Sequence, residues 1–255
     1  GTFCHENGHM LMGYPDLYSY NGNANNMNNF TLMAGGSHSG GGKHPANVDP
    51  YLKNASGWMD VIELDKNSHQ RCTVQVDGNQ LYRYLNPSNP QEYFLFEVRD
   101  NTGYEGVYGG ASTAVNPAAG LVVYHALETG SSTYSTIFTA DNPNADYTTP
   151  YETLVIEASP PAITPWYDDP TPNSSDAFKS AGVSTLSDLT TPALKFWTAA
   201  TTANGGGRNV TSDCVIHSIS ADGPTMTFVI GAGDPPGAPT IELSRTTIKG
   251  HKRYW

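Results

Sequence analysis

The sequence predicts an α+β fold, with helices confined to about the first 65 residues and a mainly antiparallel β region after them. Three observations predict it. His5 and His9 stand four residues apart in a stretch that closes at Gly13 and Pro15, which is the spacing and the stop signal of a helix. Asp49-Pro50 puts a capping carboxylate and then a proline at the head of a second helix, over about 49–57. From about Gln70 the periodicity changes to short alternating strands divided by Asp-Gly, Asn-Pro and Gly-Gly turn signals.

Each element has a local reason. Met10-Leu11-Met12 continues the first helix, Gly13 can take the left-handed cap, and Pro15 prevents resumption. A Gly-rich loop over 35–42 leads to the second helix. Strands are expected at 73–76, 80–84, 93–98, 121–124 and 153–157. Residues 160–172, rich in Pro, Asp and aromatics, read as a long surface loop, and 231–239 as an interdomain linker. The expected division is 1–65, 66–232 and, for the linker with the start of a further module, 233–255.

Composition excludes several functions. With 13 Lys plus Arg against 24 Asp plus Glu, the net charge of −11 leaves no basic stripe for nucleic acid or an anionic membrane. No apolar run reaches the roughly 18 residues of a membrane span. Low charge density with 26 Gly and 18 Pro suits a turn-rich secreted β protein acting as a monomer. Three cysteines allow at most one disulfide; buried thiols are the default, and a Cys72–Cys214 bridge is the alternative.

The chemistry is concentrated in His5-Glu6-Asn7-Gly8-His9, a His-Glu-x-x-His arrangement. On a helix both imidazoles share one face and can hold one zinc ion, with Glu6 directed at a metal-activated water. Asp16 follows the turn and can supply a third ligand. In the extended form of this motif, Gly comes three residues after the second His and the further ligand six after. Here Gly13 comes four after and Asp16 seven after, so the helix has to run longer or end in a wider turn. Glu97 is the other carboxylate that could complete the site, unless it pairs with Arg99. His38, His44 and Tyr51 are candidates to stabilise an oxyanion, and Asp168, Asp169 and Asp176 could hold calcium.

The stretches starting at Cys4 (CHENGHMLMGYPDLY) and at Phe30 (FTLMAGGSHSGGGKHPANVDPYLKNASGW) resemble the immune inhibitor A-like (M6) family of secreted zinc metallopeptidases. The similarity extends through Pro15-Asp16-Leu17-Tyr18, Leu32-Met33-Ala34-Gly35, Lys53 and Gly57-Trp58, and in order and approximate spacing to about Gly231. The chain departs from the pattern at Met12, where Gly is more usual, and at His38, where the family tends to carry Trp. The resemblance implies the C-terminal part of a zincin-like catalytic domain, with Met33 as a Met-turn residue beneath the zinc-binding histidines. It implies a secreted endopeptidase acting on a protein or peptide substrate. It also implies a fragment lacking the sheet that precedes the metal helix, so that the expected peptidase activity belongs to the longer parent and the activity of the piece alone stays open. The alternative reading is a non-catalytic β-sandwich binding or structural module with a residual metal site.

Overall fold

The computed structural model describes residues 1–18, 27–100, 118–130, 152–158, 175–198 and 207–232. The fold is α+β. Its helices come first: α1, Thr2–Asn7, which continues without a break as a π-helical turn over Gly8–Met12, and α2, Pro50–Ala55. Asp49 caps α2 as its sequence requires, with a side-chain oxygen accepting the Leu52 N–H at 3.1 Å and Pro50 in the first turn. The segment Gly35–Gly42 forms two short 3-10 turns in place of the expected open loop, because Gly40 and Gly41 adopt positive φ between them.

Among the described residues ten strands follow: β1 Asp60–Glu63, β2 Arg71–Gln75, β3 Gln80–Asn86, β4 Asn89–Arg99, β5 Gly120–Leu127, β6 Thr153–Ile156, β7 Lys195–Thr198, β8 Gly207–Thr211, β9 Ile216–His217 and β10 Thr225–Ile230. The largest sheet has the order β1-β3-β4-β5-β6, antiparallel except for β1, which runs parallel to β3. A second sheet, β2-β10-β9, is antiparallel, and β7 and β8 form a hairpin pair. Strand β1 lies outside the sequence expectation. It is too short to show alternation, and its partner β3 is reached only after the chain has visited the other sheet.

The five-stranded sheet is covered on both faces, which explains why every residue of β5 is buried. Alternation sends Phe94, Phe96, Leu121, Val123 and Ile156 to one core, shared with Cys72, Val74, Met226 and Phe228 of the second sheet. Tyr93, Leu95, Val122, Tyr124 and Val155 face the other core, shared with Tyr14, Leu17, Phe30, Met33 and Leu52 from the first 59 residues. One sheet therefore serves as sandwich partner on one side and, on the other, as floor beneath α2 and the segments 14–17 and 30–34. Phe94 stacks on Phe196 at 4.9 Å and 9°, tying β7 to the sandwich side. Such a pair contributes about 0.5–1.5 kcal/mol beyond the buried area.

All three cysteines are free thiols; Cys72 and Cys214 are buried, so the bridge considered between them is not formed. Burial pushes the Cys72 thiol up to about 12. Among the described residues no helix is long and apolar enough to cross a membrane. The expected surface loop at 160–172 and the linker and further strand after 232 lie outside the described residues.

Candidate metal centre

His5 and His9 project from successive turns of the first helix, and the chain then reverses at Gly13 to bring Asp16 back to them. The extra residue is absorbed by the π-helical turn. The Gly13 N–H reaches the His9 carbonyl at 3.1 Å, and the Tyr14 N–H reaches back to the Gly8 carbonyl at 3.2 Å. Gly13 closes the helix at φ 68°, ψ 21°, the left-handed conformation that its lack of a Cβ permits. A wider last turn is thus the local solution to the spacing of Asp16.

The three side chains converge on one point. His5 Nε2 lies 3.0 Å and His9 Nε2 3.1 Å from Asp16 Oδ1, and the two Nε2 atoms are 3.1 Å apart. The protonation pattern follows from the other ring nitrogens. His5 Nδ1 is 2.9 Å from the Leu32 carbonyl and His9 Nδ1 is 2.6 Å from the Tyr14 carbonyl. A carbonyl only accepts, so both Nδ1 atoms carry protons and donate, and in the neutral ring each Nε2 presents a lone pair. With both rings neutral, two nitrogen lone pairs and a carboxylate oxygen face one another, an arrangement that a cation satisfies. Tetrahedral zinc with bonds of about 2.0–2.1 Å keeps its ligand atoms roughly 3.3 Å apart, and two imidazoles with one carboxylate suit that ion. Among the described residues this is the one group of His, Cys, Asp and Glu that could hold a metal.

Supporting contacts fix each member of the group. The Tyr18 hydroxyl donates to the Asp16 carboxylate, and its ring lies 6.5 Å from that of His5. Burial pushes the Tyr18 hydroxyl up, followed by the charge and hydrogen bond of Asp16 and then by the charge of Glu6. Glu6 itself is exposed on the same helix as His5. The Leu17 N–H donates to the Met33 carbonyl at 2.8 Å, docking the segment that carries Asp16 onto the 30–34 loop.

Met33 is fully buried, and its thioether lies under the helix at Gly8, the residue before His9. A Cβ on Gly8 would sit 2.8 Å from Met33 Sδ and 3.4 Å from Tyr14 Cδ2. Gly8→Ala is therefore expected to destabilise the fold by about 1–3 kcal/mol through overpacking, outweighing the roughly 1 kcal/mol that Ala gains over Gly in a helix. Urea unfolding measures the difference. A variant as stable as the parent would show that Met33 is not wedged beneath the helix.

Other candidates fall elsewhere. Glu97 is not in the converging group: its carboxylate meets Arg99 Nε at 3.0 Å, Lys53 Nζ at 3.4 Å and the Tyr124 hydroxyl at 2.7 Å. Tyr51 is buried with its hydroxyl given to Glu152, which removes it as an oxyanion donor. His38 is exposed and its Nδ1 lies 2.9 Å from the Ser37 hydroxyl, and His44 is half-buried. Asp176 is fully buried with its carbonyl accepting the Ala158 N–H at 2.9 Å, while Asp168 and Asp169 lie outside the described residues.

The Glu97 network makes a pH prediction. Burial alone would raise its carboxyl, but Arg99, Lys53 and Tyr124 outweigh it and hold the group below the ordinary carboxylate value. A depressed folded pKa contributes stability that is present above the unfolded value of about 4.3 and lost as pH falls through the folded one. Asp49, which burial pushes up despite its bonds to Thr31 and Leu52, acts in the opposite sense over the acid range. Melting curves stepped downward from about pH 5 should therefore lose stability with a component that disappears in Glu97→Gln. An unchanged acid slope in that variant would remove Glu97 as its source.

Sequence comparison picks out the same part of the chain. No curated protein and no solved structure matches it. Residues 1–59 do match the family model described as immune inhibitor A peptidase M6, catalytic domain. The segment that brings His5, His9 and Asp16 together is thus similar to the catalytic domain of a metallopeptidase family.

Proposed function

We propose that the chain is a zinc-dependent endopeptidase that hydrolyses peptide bonds in extracellular proteins, with His5, His9 and Asp16 as metal ligands and Glu6 as general base. The observation that carries this reading is the convergence of His5 Nε2, His9 Nε2 and Asp16 Oδ1 within 3.0–3.1 Å of one another, beside a helix that also bears Glu6. When bound, zinc supplies a water of lowered pKa and polarises the scissile carbonyl. Glu6 takes the proton of the attacking water and hands it to the leaving amine. The Nδ1–H bonds of His5 and His9 hold both rings in the metal-binding tautomer, and Tyr18 orients Asp16.

Secretion and a monomeric state belong to the same proposal, and calcium has no comparable support. A binding module with a residual metal site would share the sandwich of the two sheets, but it would leave the Glu6 carboxylate beside the site without work. Elemental analysis of the purified chain, with His9→Ala alongside, tests the reading. The expected result is about one zinc per chain in the parent and none in the variant. A folded parent without zinc would overturn it.

A further inference from the structure

Every carbonyl of Phe30–Met33 has an assigned donor. Phe30 accepts from Arg99 at 2.6 Å, Thr31 from the Ala34 N–H at 3.3 Å, Leu32 from His5 Nδ1 at 2.9 Å, and Met33 from the Leu17 N–H at 2.8 Å. One of these four bonds reaches the metal group directly, through His5, and another holds the neighbour of Asp16, through the Leu17 N–H. The other face of the loop is held by charges that the ligand set does not include. The Thr31 hydroxyl donates to Asp49 Oδ2 at 2.6 Å and accepts the Met33 N–H at 3.2 Å. Arg99 donates to Phe30 and to Glu97 at once, and its guanidinium lies 5.5 Å from the Phe30 ring centre. Asp49 and Thr31 are fully buried, and Arg99 is 4% exposed.

We propose that Asp49, through Thr31, and Arg99 are positioning residues of the metal centre: they pin the 30–33 loop from the head of α2 and from the end of β4 so that its carbonyls hold His5 and the segment of Asp16 at ligand distance. The physical case rests on rigidity. A loop peptide free to rotate would turn the Leu32 carbonyl away from His5 Nδ1, releasing both the tautomer and the ring angle, and outer partners of this kind typically carry about 10–100-fold of metal affinity. Asp49 has a double attachment, since its other oxygen caps α2, so the loop is tied to the helix N-terminus as well as to the sheet. Arg99 can serve two acceptors because its donors are a planar fork; a lysine presents a single flexible ammonium.

This inference rests on the metal reading above, and cobalt titration separates the two. Co²⁺ is added to the whole chain and its visible d–d bands are followed, with affinity measured by chelator competition. Thr31→Val keeps the shape of the side chain and removes the hydroxyl; Thr31→Ser restores it; Arg99→Lys keeps the charge and loses the fork. Leu186→Ala, in the core on the far side of the sheet, serves as a stability control. The expected result is a cobalt affinity about 10-fold or more weaker, with altered bands, in Thr31→Val and Arg99→Lys. Thr31→Ser should match the parent, and Leu186→Ala should melt lower with cobalt binding intact. Parent-like affinity and bands in both Thr31→Val and Arg99→Lys would overturn the inference, as would equal weakening in Leu186→Ala at the same loss of melting temperature. A folded parent that binds no cobalt would instead overturn the metal reading itself.

Discussion

Glu6→Gln is expected to abolish peptide hydrolysis while leaving the metal in place. The residue occupies the second position of the motif, exposed on the helix, and its charge is felt by the Tyr18 hydroxyl that also bonds Asp16. It is not among the three converging ligand atoms, so its removal does not touch the donor set. What it removes is the group that accepts the water proton, and a positioned general base contributes about 10²–10⁴-fold to a rate. The amide of glutamine preserves shape and hydrogen bonding but has no basicity at neutral pH. Rates on denatured casein, measured beside zinc content, check both halves of the expectation. Strong residual hydrolysis would remove Glu6 from the mechanism, and loss of zinc would make it a ligand.

Asp16→Ala is expected to empty the site. Both Nε2 atoms lie 3.0–3.1 Å from its Oδ1, and it supplies the negative charge of the donor set. Two imidazoles alone bind a divalent ion weakly, so the loss should exceed the roughly 100-fold that an outer-shell partner carries. Glu97→Gln is the informative comparison, because Glu97 was the rival third ligand on sequence grounds. Its carboxylate is held by Arg99, Lys53 and Tyr124, so that variant should keep its zinc. Zinc affinity by chelator competition distinguishes the two carboxylates. Retention of parent affinity by Asp16→Ala would exclude it as a ligand.

Much of the site could be read along the chain because its parts are close in sequence. His5, Glu6, His9, Gly13 and Asp16 span a single helix and turn, where side-chain spacing and backbone capping are dictated by neighbours within a few residues. The one-residue excess before Asp16 could be read as a problem but not solved. Its solution, a π-helical last turn, depends on which carbonyls the Gly13 and Tyr14 N–H groups find once the segment of Asp16 is docked on Met33. Tyr18 stood in the quoted motif without a role; only the folded turn brings its hydroxyl to Asp16. Thr31 carried no local signal at all, and Arg99 carried only its pairing with Glu97, not its bond to the Phe30 carbonyl. One is a threonine in a loop and the other an arginine on a strand, and their partners lie 18 and 69 residues away in sequence.

The amino-acid sequence by itself determined the stop of the first helix at Gly13, the spacing of His5, His9 and Asp16, the cap of α2 and the segments that become β2 to β6, because these follow from short-range hydrogen bonding and side-chain period. Tertiary structure alone decided that β1 pairs parallel with β3 and that the central sheet has two buried faces. It also decided that Lys53 and Tyr124 join Arg99, the partner the sequence already offered, around Glu97. The reason is that these outcomes depend on which surfaces meet across long stretches of chain, where burying an apolar face and satisfying a buried charge are settled together by packing rather than by any local pattern.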